Sequence, residues 1–156
     1  MLSWLKSMFT PPQPSGPMES LHLFPASSET ISQDVVTAEM DTWRITGSEA
    51  QQTAQLFEYE LPESDQCMLT YRAKIKTDEV VGKAYLEMWC RLPGRGEFFS
   101  RGLHNAVSGT NQWSTVEIPF YLKRGQTPDL LKLNVVLEGT GTVWVKEIEV
   151  LRTPLQ

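Results

Sequence analysis

Two stretches of ten residues decide the fold class: CMLTYRAKIK at residues 67–76 and KAYLEMWCRL at residues 83–92. In both of them apolar and polar side chains alternate with a period of two, as a β-strand with one buried and one exposed face requires. Neither shows the three- and four-residue spacing of an amphipathic helix. The predicted inner faces carry Leu69, Tyr71, Ala73 and Ile75 in the first stretch, and Ala84, Leu86, Met88 and Cys90 in the second.

The segment between these two strands allows two connections. A hairpin turn at Asp78-Glu79 would place Cys67 opposite Cys90, with both on the apolar side. An arch from one sheet to another would also leave both cysteines facing inward. Because the first residues do not read as an export signal, we expect two buried thiols and no disulfide.

Further strand-like segments recur about every ten to fifteen residues, separated by glycine and proline. No window longer than about ten residues shows a convincing helical stripe. Eight or nine such strands predict an all-β fold, a two-sheet antiparallel β-sandwich of the jelly-roll type. The additional segments are residues 21–24, 35–40, 43–46, 55–61, 113–122, 131–137 and 142–151.

The beginning of the chain is predicted to lie outside this domain. Four prolines between residues 10 and 18 exclude a helix and a central strand, so this stretch reads as an extended linker. Met1–Phe9 is apolar but short, and we expect a disordered or helical tail that contacts at most a membrane surface or a partner. The predicted division is therefore 1–18, tail and linker, and 19–156, the β-sandwich domain.

Composition narrows the classes of partner. The formal net charge of −5 argues against nucleic acid as the main partner, since phosphate binding needs clustered lysine and arginine. No apolar run approaches the roughly 18 residues of a transmembrane helix. With two cysteines and no recognised export signal, we expect a cytoplasmic protein.

The sequence offers little for catalysis or for metal binding. There are two histidines and no Gly-x-Ser-x-Gly turn. Ser100 and His104 share one segment, but no acid is spaced to orient the histidine. Two cysteines without a CxxC or HxxxH pair do not make a zinc site. We therefore expect no enzyme, no catalytic residues and no metal ligands that the sequence can place.

The second half of the chain carries motifs that resemble a known superfamily. They are Gly109-Thr110-x-x-Trp113, then Val116-x-Ile118-Pro119-Phe120, and finally the stretch LNVVLEGTGTVWV at residues 133–145. These are similar to the galactose-binding-like jelly rolls, which include many carbohydrate-binding modules, over roughly residues 40–151. The resemblance implies the fold, a glycan as one class of ligand, and a structural calcium held by carboxylates and backbone carbonyls.

A candidate binding surface lies on the outward face of residues 83–92. An aromatic ring beside fixed polar groups suits a sugar, and the same set suits a protein groove. The alternative is that a loop covers Trp89 and the charges are a solvated sheet face. The candidate residues on this face and on the neighbouring strands are Tyr85, Glu87, Trp89, Arg91, Arg72 and Asn134.

A second candidate is the long connection of residues 93–109, read as a loop. Arg95 and Arg101 lie in it beside Phe98-Phe99 and could contact an anion or a protein. The alternative is a hairpin tip with one of the two phenylalanines tucked inward.

The sequence thus predicts a non-catalytic binding module for a carbohydrate or a protein partner, acting through the sheet face or the 93–109 segment. The alternative is a structural or assembly protein whose sandwich and N-terminal tail dock into a larger complex or onto a membrane surface.

Overall fold

The computed structural model describes residues 12–26, 28–48 and 50–156, and these residues form an all-β protein. Met1–Phe9, predicted as a disordered or helical tail, lies outside the described residues. Within them, a single 3-10 turn at Leu103–Asn105 interrupts the strands. The strands are β1 Glu19–Leu23, β2 Val36–Glu39, β3 Thr42–Thr46, β4 Gln52–Glu60, β5 Cys67–Leu92, β6 Gly96–Arg101, β7 Val107–Leu122 and β8 Leu130–Pro154.

Two very long strands, β5 and β8, form the frame. They pair antiparallel from Cys67 opposite Pro154 to Arg91 opposite Leu130. The two stretches that decide the fold class are therefore halves of one strand. Of the two predicted connections, the hairpin at Asp78-Glu79 is wrong, because the chain continues in the same direction through this point.

The hydrogen-bonded sheet folds back on itself into two layers. The first sheet contains the first half of β5 and the second half of β8, together with β1, β2, β3 and the second half of β7. The second sheet contains the other halves of β5 and β8, flanked by β4 and β6. The Tyr71 hydroxyl of the first sheet donates to the Asn134 carbonyl oxygen of the second at 3.3 Å, so the two layers face each other.

Glycine permits the passage of both strands from one layer to the other. Gly82 and Gly139 are opposite each other in the ladder and have φ angles of +104° and +115°. A Cβ on Gly82 would overlap the carbonyl oxygen of Glu138, and one on Gly139 would overlap that of Val81. Side chains at either position would therefore prevent the close approach of the two backbones.

The space between the layers is filled by apolar side chains, with Trp43, Ile45, Leu56 and Tyr71 almost fully buried. Both cysteines are buried free thiols, as predicted. Burial raises the pKa of Cys67 to about 11 and that of Cys90 to about 12. Both thiols are therefore protonated at neutral pH and behave as small apolar groups.

Part of the predicted proline-rich linker contacts the sandwich. Pro14 forms an isolated bridge with Leu155, and the amide of Ser15 donates to the carbonyl of Pro154 at 2.9 Å. The predicted domain division at residue 18 stays a prediction. None of the described segments forms a helix with the length and apolar character that crossing a bilayer requires.

We expect Gly82→Ala to lower the free energy of unfolding by at least about 3 kcal/mol, because a Cβ combines a disfavoured φ with a backbone overlap. Urea unfolding followed by circular dichroism measures this loss. The control is Gly94→Ala, which has φ +77° and open space around the added Cβ, and which should cost only about 1 kcal/mol. Equal losses in the two variants would contradict the role given to the crossing.

Candidate ligand-binding groove

A groove of about 420 Å³ runs across the outer face of the second sheet. The strands β4, β8, β5 and β6 lie side by side there, so each can contribute outward-pointing side chains. The lining residues are Ile31, Gln51, Thr53, Gln55, Glu58, Glu87, Trp89, Glu97, Arg101, Lys132 and Asn134.

The strand register arranges the centre of this surface in two rows that cross the sheet. The first row has two charged side chains at one end and two aromatic side chains at the other, and it is called the aromatic row. The second row, called the polar row, consists of hydrogen-bonding side chains. The aromatic row is Glu58, Lys132, Trp89 and Phe99, and the polar row is Gln55, Asn134, Glu87 and Arg101.

A pairing irregularity in β4 brings two of these residues to the same face. The register shifts between Gln55 and Phe57, which leaves Leu56 as an extra residue. Leu56 and Phe57 are then both buried, while Gln55 and Glu58 are both exposed. Without the shift, strict alternation would put Glu58 on the opposite face from Gln55.

Glu87 is the buried polar centre of the groove, with only 4% of its surface exposed. Its Oε1 accepts hydrogen bonds from the Trp89 indole at 3.0 Å and the Asn134 amide at 2.9 Å. Its Oε2 accepts one from the Arg101 guanidinium at 2.8 Å. The three donors fix the carboxylate and the side chains around it.

These contacts keep Glu87 ionised. Burial by itself would raise its pKa, but the hydrogen bonds from Asn134, Arg101 and Trp89 outweigh burial, and the pKa lies below its ordinary range. Glu87 is therefore a fixed anion and hydrogen-bond acceptor at neutral pH.

Trp89 forms the aromatic wall of the groove and packs against a second ring, Phe99, which is not itself a lining residue. The half-buried Trp89 lies 5.2 Å from Phe99, between ring centroids, at an angle of 54°. The Arg101 guanidinium lies 4.1 Å from the Phe99 centroid, so it contacts an aromatic face and Glu87 at once. The wall is thus held in place by its neighbours.

An ion pair crosses the groove beside Trp89. Lys132 on β8 and Glu97 on β6 are 2.6 Å apart, although β5 lies between their strands. Their side chains must therefore meet above β5. This pair bounds the aromatic wall on the side of Arg91.

Four of the eight residues predicted from the sequence are brought together here: Glu87, Trp89, Arg101 and Asn134. No loop covers Trp89 completely within the described residues, because it borders the open groove.

The other four lie elsewhere. Tyr85 shares the strand face but is buried, and burial together with the Glu138 carboxylate raises its pKa. Arg91, at the end of the strand, forms a bidentate pair with Asp129 at 2.8 and 2.9 Å.

Arg72 and Arg95 are not among the lining residues of the groove. Arg72 extends from the outer face of the first sheet and pairs with Glu117 at 2.8 Å. Arg95 lies in the turn between β5 and β6, where its amide donates to the carbonyl of Leu92.

The prediction of a loop over residues 93–109 needs correction. This segment contains β6 and the 3-10 turn, and Arg101 lies on the strand. Phe98 and Phe99 are 45% and 52% exposed, so neither is tucked inward. β6 can form because residues 96–101 pair along β5 over six positions.

Sequence reasoning missed the groove residues of β4 together with Ile31 and Lys132, although it identified Asn134 on β8 and Arg101 on β6. Lys132 could have been found, because it alternates with Asn134 on a predicted strand. No simple signal identifies the others, of which Gln55 and Glu58 share this face because of the irregularity in β4. The missed residues are Ile31, Gln51, Thr53, Gln55, Glu58 and Lys132, whereas Glu97 lies in the 93–109 segment predicted as the second candidate.

Metal-binding side chains do not cluster in the described ranges: no three or more His, Cys, Asp or Glu residues share a position there. The structural calcium implied by the resemblance stays a prediction.

Comparisons with known proteins bear on the fold. No family model and no curated protein matches the sequence. Among solved structures, the Stig cyclase FisC from Fischerella sp. TAU, in complex with (3Z)-3-(1-methyl-2-pyrrolidinylidene)-3H-indole, is 10% identical with a TM-score of 0.56. The match covers 89% of this chain and 75% of that one. A further cyclase from Fischerella sp. TAU is 12% identical, with coverage of 83% and 74% and a TM-score of 0.55.

A carbohydrate-binding module of family 29, CBM29-2, in complex with cellulohexaose, is also similar. It is 11% identical with a TM-score of 0.52, and the match covers 88% of this chain and 92% of that one. At such identities the likeness is one of fold. The predicted fold is confirmed: this chain is an all-β, two-layer sandwich with the jelly-roll fold of these structures.

Proposed function

We propose that this chain is a non-catalytic module that binds a glycan in the groove of the second sheet. The observation that carries the proposal is a partly exposed tryptophan, Trp89, beside a fixed row of hydrogen-bonding side chains in an open groove. Ring and row lie on rigid strands, as a preformed binding site requires.

The aromatic wall suits the apolar face of a sugar ring. Trp89 is held by its hydrogen bond to Glu87 and its contact with Phe99, so little side-chain freedom is lost on binding. A pyranose stacked on the indole would remove apolar surface from water at small entropic cost.

The polar row suits sugar hydroxyls. A carboxylate offers about four acceptor positions, and Glu87 uses three among the described residues, two on Oε1 and one on Oε2. Oε2 therefore keeps an acceptor position for a hydroxyl. Gln55 adds an exposed amide at the end of the row.

The state of Glu87 argues against acid catalysis. A general acid at neutral pH needs a raised pKa, whereas that of Glu87 is lowered. Its three donors instead hold it as a permanent acceptor. The similar structures include cyclases as well as a module that holds cellulohexaose, so the fold supports either class and the site chemistry favours binding.

A second candidate function is contact with a protein through β6. Phe98 on β6 and Leu103 in the turn that follows it are 45% and 54% exposed, and β6 is paired only with β5 among the described strands. Exposed aromatic side chains on a strand edge are typical of protein contacts.

We expect the full chain to bind glycans on an array. Trp89→Ala should weaken this binding roughly ten- to thirty-fold, because it removes a central aromatic contact. The matched control is Trp144→Ala, which removes a half-buried tryptophan from the outer face of the first sheet. Circular dichroism checks that both variants fold.

Two results would count against the proposal. One is an array on which the full chain binds nothing, and the other is equal loss in the two tryptophan variants. If, in addition, Phe98→Ala abolished capture of a specific protein, the second candidate would replace the first.

A further expected outcome concerns pH and the ionised Glu87. We expect Glu87→Gln to lower the free energy of unfolding by about 2 kcal/mol at pH 7, because it weakens charge-assisted hydrogen bonds. Since the folded-state pKa is lowered, this stabilisation is complete above the unfolded value of roughly 4.3 and is lost as the pH falls through the folded one.

The difference between wild type and Glu87→Gln should therefore shrink in acid, as measured by urea unfolding over a series of pH values. Glu60→Gln, an exposed carboxylate on β4, serves as the control and should stay within about 0.5 kcal/mol. A difference for Glu87→Gln that is independent of pH would show that the carboxylate charge does not stabilise the fold.

A further inference from the structure

The groove has an excess of negative charge. Three carboxylates line it, those of Glu58, Glu87 and Glu97, against two cations, Arg101 and Lys132. Three negative charges against two positive ones leave one negative charge. This excess decides which glycans the groove can accept.

Both cations are already neutralised. Arg101 lies 2.8 Å from Glu87, and Lys132 lies 2.6 Å from Glu97. An anionic sugar that approached either cation would also lie beside the carboxylate of that cation's partner, Glu87 or Glu97, and would be repelled by it. Uronates and sulfated sugars therefore find no unpaired cation in the described lining.

Glu58 carries the excess charge. It is opposite Lys132 in the ladder, but the lysine ammonium pairs with Glu97 instead. Within the described part of the chain, no ion pair within 4 Å involves Glu58; the nearby Arg91 interacts with it electrostatically but pairs with Asp129, and the Glu58 side chain is exposed at the groove. It is the lining carboxylate that is available to a cationic ligand.

The register places this carboxylate at a useful position. Glu58 and Trp89 belong to the same row and lie two strands apart, roughly 10 Å at the usual strand spacing. A glycan that crosses the strands and stacks one ring on Trp89 would place a neighbouring unit near Glu58. The amide of Gln55, on the same face of β4, would flank that unit.

We propose that the groove prefers a glycan with free amino groups, such as an oligomer of glucosamine, over a neutral glycan and excludes uronates, with Glu58 as the acceptor for the sugar ammonium. This inference rests on the proposed glycan binding. One exposed ion pair contributes only a small binding free energy, and salt screens this contribution.

The experiment compares three oligosaccharides of equal length by calorimetry with the full chain: a glucosamine oligomer, a cello-oligosaccharide and a galacturonate oligomer. We expect the glucosamine oligomer to bind about two- to five-fold more tightly than the neutral one, in line with the strength of an exposed ion pair. The preference should fall with added salt, and the galacturonate oligomer should bind most weakly.

Two variants with the same change of charge identify the responsible group. Glu58→Gln should bring the ratio of the glucosamine-oligomer affinity to the cello-oligosaccharide affinity close to one. Glu60→Gln removes an exposed carboxylate from the same strand outside the groove lining, and should keep the preference. Of the three variants, Glu58→Lys should have the smallest difference in affinity between the galacturonate oligomer and the cello-oligosaccharide.

Failure of this inference and failure of the proposed function give different results. Tight cello-oligosaccharide binding with no preference for amino sugars, or a preference that survives Glu58→Gln, would overturn the inference alone. Failure of all three oligosaccharides to bind would overturn both.

Discussion

The antiparallel pairing of β5 with β8 is the interaction on which the rest of the structure depends. It runs from Cys67 opposite Pro154 to Arg91 opposite Leu130 and contributes to both layers. Among the described strands, β1, β3 and β4 pair with β8, β6 and β7 pair with β5, and β2 is attached through β3. The ladder can turn from one layer to the other because Gly82 and Gly139 meet without side chains. The fold and the groove therefore both depend on the close approach of these two glycines.

The groove shows how a buried charge can organise a surface. Glu87 is taken from water, which would be unfavourable for an isolated carboxylate, but its three donors come from three different strands: Asn134 on β8, Arg101 on β6 and Trp89 on β5 itself. Each of these three donor residues also lines the groove. The hydrogen bonds that compensate for burial therefore fix the geometry of the surface that a ligand would meet.

The sequence predicts the all-β class and the inward and outward faces of both halves of β5, because period-two alternation is a local property. It does not reveal that residues 67–76 and 83–92 are one strand, since this depends on Gly82 meeting Gly139, more than 50 residues away in the chain. The sequence identifies four groove residues, Glu87, Trp89, Arg101 and Asn134. It also places Arg72 near them, because local alternation does not show that Arg72 lies on the other sheet. Glu58 depends on one extra residue in β4, which alternation cannot predict.

Residues 13–15 lie next to residues 154–156. The amide of Gln156 donates to the carbonyl of Gln13 at 2.9 Å, and Ser15 is bonded to Pro154. Two positions separated by nearly the whole chain are therefore adjacent in space, at the edge of the first sheet. A short peptide could join them without distorting the sandwich, which makes the fold suitable for circular permutation and for insertion into a surface loop of another protein. In either arrangement the groove would keep its strands, because none of its lining residues lies near this junction in the sequence.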